Sequence, residues 1–181
     1  MTVKVPRSVG PRRAVAGAGV LAVAALLGAC TGQPGAAAVV DGTAISTAEV
    51  QTASTELGPY FDGATPTNVL AVLLQAPVVE KLAAENGVGV SKDEAQAALD
   101  TQAQAIGRDV ETFSDTALSV VRYSLAVTDL QALPDAADIV TELTEQVAAQ
   151  DIQVNPRYGD LGADNMLGAP SFPWIVTTPA G

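Results

Sequence analysis

The chain has 181 residues, with 9 Lys+Arg against 20 Asp+Glu, one cysteine and no histidine. The lack of histidine excludes Ser-His-Asp and Cys-His nucleophile pairs and histidine-ligated zinc. A single cysteine excludes an internal disulfide and a thiolate-ligated zinc site. The sequence therefore predicts neither a metal nor a cofactor, and its length favours one domain with extensions.

The N-terminal segment has the organisation of an export signal. Four basic residues within the first 13 positions precede an apolar run, Ala14–Leu27, which ends in Leu27-Gly28-Ala29-Cys30. A basic start, an apolar run of this length and small residues before a cleavage site predict a signal peptide over residues 1–29. The last four residues also resemble a bacterial lipobox. That resemblance implies that Cys30 carries diacylglycerol and palmitate, whereas a plain secretory signal or an uncleaved anchor are the alternatives.

The part that follows the leader is strongly acidic. It has 5 basic and 20 acidic side chains, a net charge of −15. Nucleic-acid binding needs clustered Lys and Arg, so no nucleic-acid partner is predicted. Anionic lipid headgroups would repel this surface, so we expect contact with the membrane only through the lipid anchor, on the extracytoplasmic face.

Two short strands are predicted at the two ends of the domain. The composition of residues 30–36 is typical of a flexible tether. Ala37–Val40 is predicted to form a brief strand, which an Asp41-Gly42 turn follows. Alternation of polar and apolar residues over 151–155 predicts the second strand. Residues 160–181 form a Gly- and Pro-rich tail.

Helices fill the chain between these strands. Capping signals and apolar spacing predict four to five helices, which makes the fold mainly α. Their predicted starts are Ser46, Thr65, Ser91, Ser114 or Asp115, and about Ala136.

The order of these elements resembles the N-terminal chaperone domain of SurA-like periplasmic foldases, in the short lipoprotein form. The resemblance covers 37–159 and rests on its ends, Val39–Ser46 and Val154–Gly159. It implies that the two terminal strands pair and that the domain binds unfolded or extended polypeptides. Larger relatives carry a parvulin prolyl-isomerase domain whose site uses histidines. Only 22 residues follow Gly159, so isomerase activity is not expected and the protein is not predicted to be an enzyme.

Aromatic residues are the candidate polypeptide-binding contacts. Tyr60 and Phe61 follow the first helix, and Phe172 and Trp174 lie in the tail, both in Pro- or Gly-flanked segments. Exposed apolar clusters of this kind bind partners, although covering the core is the alternative interpretation. The acidic pairs Asp93-Glu94 and Glu142/Glu145 are more simply solvated helix faces than catalytic groups.

The sequence is therefore compatible with two functions. The first is a lipid-anchored, non-catalytic chaperone for unfolded or exported polypeptides. The alternative is an envelope lipoprotein that serves as an assembly module for one dedicated protein partner. A broad apolar groove would favour the first, and a small conformation-specific patch the second. Oligomeric state is left open.

Lipid attachment at Cys30 gives the first testable prediction. Protein extracted from membranes should begin at Cys30 and carry the added mass of diacylglycerol and acyl chains in intact-mass spectrometry. A Cys30→Ala variant should be released from the membrane. An unmodified cysteine, a retained leader, or a variant that stays membrane-bound would contradict the prediction.

Overall fold

The computed structural model describes residues 34–168, which form five helices and three strands. The mainly α architecture predicted from sequence is confirmed. In chain order the elements are β1 (Ala36–Val40), β2 (Thr43–Ser46), α1 (Thr47–Leu57), α2 (Pro66–Glu85), α3 (Lys92–Ala105), α4 (Asp115–Gln131), α5 (Ala136–Ala148) and β3 (Ile152–Val154).

The helix starts lie where the capping residues predicted them. The side chains of Ser46, Thr65, Ser91 and Ser114 each accept a hydrogen bond from a backbone N–H in the first turn of α1 to α4, respectively. Such bonds satisfy backbone donors that have no partner within the helix. At Ser46 and Ser91 the Glu three residues later closes a full capping box.

The sheet has strand order β2-β1-β3, so β1 is the central strand. Antiparallel pairing of β1 with β3 places Ala38 opposite Val154, as the two-strand prediction required. The number of strands was wrong, because β2 pairs with the other edge of β1. Asp41 and Gly42 have φ angles of 49° and 80°. This double left-handed conformation is typical of the tight hairpin turn that Asp-Gly favours, and it returns the chain along β1.

Two groups of buried side chains hold the helices together, and α2 contributes to both. The first lies between the sheet, α1, α3, the N-terminal half of α2 and the start of α4. The second lies between the C-terminal half of α2, the end of α4, and α5. By length and composition α2 is apolar enough to cross a membrane, and half of that stretch is buried within the fold. The central helix of a helical core has the same composition.

The segment after β3 stays attached to the domain. Tyr158 is 3% exposed and joins the first buried group. Gly159 has a φ of +147°, and a side chain there would collide with the carbonyl of Gly168. Asn165 donates from Nδ2 to the carbonyls of Val147 and Gln150, each at 2.9 Å, near the end of α5. The first nine residues of the predicted tail, 160–168, are therefore held in place.

Removing Asp151–Gly159 should destabilise the whole domain. The deletion takes away the β3 edge of the sheet, leaves β1 backbone groups without partners and removes Tyr158 from the core. We expect a loss on the order of 3 kcal/mol or more in the free energy of unfolding. Thermal unfolding followed by circular dichroism measures it, and an unchanged midpoint would contradict the role assigned to β3.

A milder change at Tyr158 should act in the opposite direction. Its hydroxyl is buried and finds no hydrogen-bond partner among residues 34–168. A buried unpaired hydroxyl costs about 1–3 kcal/mol, so Tyr158→Phe should raise the free energy of unfolding. Chemical denaturation of both proteins checks this. A loss of stability would mean that the hydroxyl is satisfied after all.

Candidate functional site

The loop between α1 and α2 holds Phe61 at the surface in a defined position. The Phe61 N–H donates to the carbonyl of Leu57 at 3.0 Å, and its own carbonyl accepts from the Ala64 N–H. Ser54 Oγ donates to the Ala64 carbonyl at 2.5 Å, and Asn68 Nδ2 donates to that of Gly63 at 2.9 Å. Although the backbone is fixed by these bonds, the Phe61 side chain is 44% exposed.

Tyr60, the preceding residue, is buried. Its ring packs edge-on against Phe113 with 5.4 Å between ring centroids, and the Arg108 guanidinium lies 5.5 Å from the same ring. Its hydroxyl donates to Glu111 Oε1 at 2.6 Å, and this hydrogen bond, with burial, raises the pKa of Tyr60. Tyr60 therefore joins the α1–α2 loop to the α3–α4 loop, and its side chain is occupied within the fold.

Phe61 lies at an apolar groove between α1, α2, α3 and α4. The groove has a volume of about 400 Å³. Its floor is formed by buried side chains, including Leu57, Val69 and Leu99. The lining residues are Leu57, Phe61, Gly63, Ala64, Asn68, Val69, Val72, Ala98, Leu99, Gln102, Val120, Val121, Ser124 and Leu125.

The shape of the groove follows from small side chains on facing elements. Gly63 and Ala64 in the α1–α2 loop, Ala98 on α3 and Ser124 on α4 leave space that larger residues would fill. Val72 and Leu125 form walls that are only half-buried. Apolar surface in the groove is therefore accessible to a ligand.

The lining has no ionisable side chain. Its 14 residues include no carboxylate, amine, guanidinium, thiol or phenol. Two of its polar side chains are engaged locally, since Asn68 bonds Gly63 and Ser124 Oγ donates to the Val120 carbonyl at 3.1 Å. This arrangement can bind apolar groups, but it offers no side chain to move a proton.

The carboxylates at helix starts, and the acidic pairs that the sequence analysis named, either stabilise helix ends or are exposed to solvent. Hydrogen bonds from Ser46 to Glu49, and from Ser91 to Glu94, lower the pKa of each carboxyl. Asp93 lies in the first turn of α3, where its charge suits the helix dipole. Glu142 and Glu145 are exposed on α5. Within residues 34–168, no group of His, Cys, Asp and Glu has an arrangement that could hold a metal ion.

One half-buried ion pair lies apart from the groove. Arg122 Nη1 is 2.8 Å from Glu80 Oε2, and both side chains are 23% exposed. Glu80 also accepts from Ser119 Oγ at 2.9 Å, while Arg122 Nε donates to the Val90 carbonyl. Because these partners occupy both charged groups, the pair joins α2, α4 and the segment before α3.

The structure separates the aromatic candidates. Phe61 lines the groove and is exposed, as a binding contact requires, whereas the buried Tyr60 supports the loop. Cys30, Phe172 and Trp174 lie outside the described residues. Sequence reasoning did not assign the lining residues Val72, Ala98 and Leu125 to a binding site. Their apolar spacing on helices is the same as that of core residues, so only the packing distinguishes them.

Comparison of the chain with protein-family models, with curated proteins and with solved structures gives no match. The function is therefore argued from the residues and geometry above.

Proposed function

We propose that this protein is a lipid-anchored chaperone on the extracytoplasmic face of the cell membrane, which binds unfolded or extended polypeptides without catalysis. The observation that supports this function best is the apolar groove with Phe61 at its edge. Accessible apolar grooves occur at protein-binding and ligand-binding sites. The resemblance of the two ends of the domain to SurA-like foldases points to the same function.

A groove of this composition suits many ligands better than one. Its contacts are apolar and its polar side chains largely bond to neighbouring backbone, so it imposes few directional requirements on a ligand. Discrimination between ligands needs directional hydrogen bonds or built-in clashes. This argument favours a chaperone over an assembly module for one dedicated partner.

The absence of ionisable groups from the lining supports a role in binding. Holding an extended segment away from other unfolded chains requires only reversible burial of apolar surface. Anchoring through Cys30 would keep that binding surface close to the membrane across which its clients are exported.

The groove should suppress aggregation, and Phe61 should be needed for this. We expect the purified protein to reduce light scattering by two unrelated unfolded client proteins, and to show no prolyl-isomerase activity on a proline peptide. Phe61→Ser should weaken client binding by about 1–3 kcal/mol, as expected for an aromatic contact.

Val140→Ser is the matched control. Val140 is 51% exposed on α5, outside the groove, so the two variants remove similar exposed apolar surface. Circular dichroism establishes that both variants fold. Equal suppression of aggregation by the two variants would mean that the groove does not bind clients. Suppression of aggregation of one client alone would favour the dedicated-partner alternative.

A further inference from the structure

The apolar groove is uncharged inside a domain whose charge is strongly negative. Residues 34–168 contain all 20 acidic side chains of the chain and only 5 basic ones. Three of those five form ion pairs, Lys81 with Glu85, Lys92 with Asp115, and Arg122 with Glu80. Of the other two, Arg108 lies over the Tyr60 ring beside the groove, so a single basic side chain is placed there in a domain with 20 carboxylates.

A carboxylate lies at the edge of the groove itself. Asp62 is exposed and stands between two lining residues, Phe61 and Gly63. Among residues 34–168, no Lys or Arg lies within ion-pair distance of it. The neighbouring α3–α4 loop adds the exposed Asp109, next to the Arg108 that covers the Tyr60 ring.

This combination selects a class of ligand. We propose that the groove prefers extended segments in which a large aliphatic or aromatic side chain has a Lys or Arg one or two positions away. The apolar side chain enters the uncharged groove, and the basic residue, about 3.4 Å per residue along an extended chain, stays at the edge near Asp62. The proposal rests on the function proposed above, whose ligands it narrows.

Charge also argues against two other possible occupants of the groove, a second copy of the domain and the C-terminal end of the chain. A second copy of this domain would bring the same net charge of −15 against the first, which opposes association. Residues 169–181 of the chain itself contain no charged side chain, so they would gain nothing from Asp62.

Calorimetric titration of the purified full chain with three extended peptides tests the preference. The peptides share a Leu-rich centre and differ only in flanking residues, which are Lys, Gln or Glu. We expect the Lys-flanked peptide to bind roughly tenfold more tightly than the Glu-flanked one at low salt, with the Gln-flanked peptide between them. Because the surface charges are screened, this ratio should fall toward one at high salt.

Two charge-matched variants locate the effect. Asp62→Asn should weaken binding of the Lys-flanked peptide roughly 2- to 5-fold, the range of an exposed ion pair, and leave the Gln-flanked peptide unchanged. Asp138→Asn makes the same change in net charge at an exposed position on α5 and should have a smaller effect. Equal effects of the two variants would overturn the assignment to Asp62.

The outcomes separate this proposal from the one on which it rests. If the three peptides bind equally, the charge preference is refuted while the chaperone function stands. If none binds either to the full chain or to a chain that lacks residues 169–181, both fail. Binding that emerges only when residues 169–181 are deleted would overturn the proposal in favour of a groove occupied by the chain's own end. Self-association of the protein that Phe61→Ser abolishes would overturn the proposal in favour of a groove occupied by a second copy of the chain.

Discussion

The antiparallel pairing of β1 with β3 is the interaction on which the rest of the domain depends. It joins segments more than a hundred residues apart, Ala38 facing Val154 and the Asp41 N–H donating to the Asp151 carbonyl at 2.9 Å. Closing a loop of that length costs about 4 kcal/mol of chain entropy, beyond the ordering of the residues themselves. The strands are too short to repay this alone, so the sheet is stable only because Tyr158 and the helices pack against it.

This closure explains why the groove lies where it does. The sheet covers one part of α1 and α2, and α5 covers the C-terminal half of α2. Among residues 34–168, no further element covers the face between α1, α2, α3 and α4, and small residues such as Ala64 and Ala98 leave it recessed. The packed helices thus form the groove before any ligand binds. Little conformational entropy would then be lost in ordering this surface on binding.

Local signals in the sequence were sufficient for the helices and insufficient for the site. Ser46 and Ser91 cap helices through residues three positions away, so the pattern is visible in a short window. Strand β2 was missed because its exposed residues, Thr43 and Ala44, lack the alternation that marks a half-buried strand. The Tyr60 hydroxyl bonds Glu111, 51 residues along the chain, and its ring packs on Phe113, contacts that no local pattern contains.

The negative charge of the domain and its apolar groove have consequences together that neither has alone. A protein whose accessible surface includes an apolar groove risks binding copies of itself, and an aromatic such as Phe61 at the edge increases that risk. Strong net negative charge opposes contact between copies while leaving contact with neutral or basic chains favourable. The same carboxylates that oppose a second copy would therefore attract the segments that the groove is proposed to hold. In the proposed function acidity and apolarity would act together, because the negative charge would control which chains approach and the apolar groove would control how long they stay.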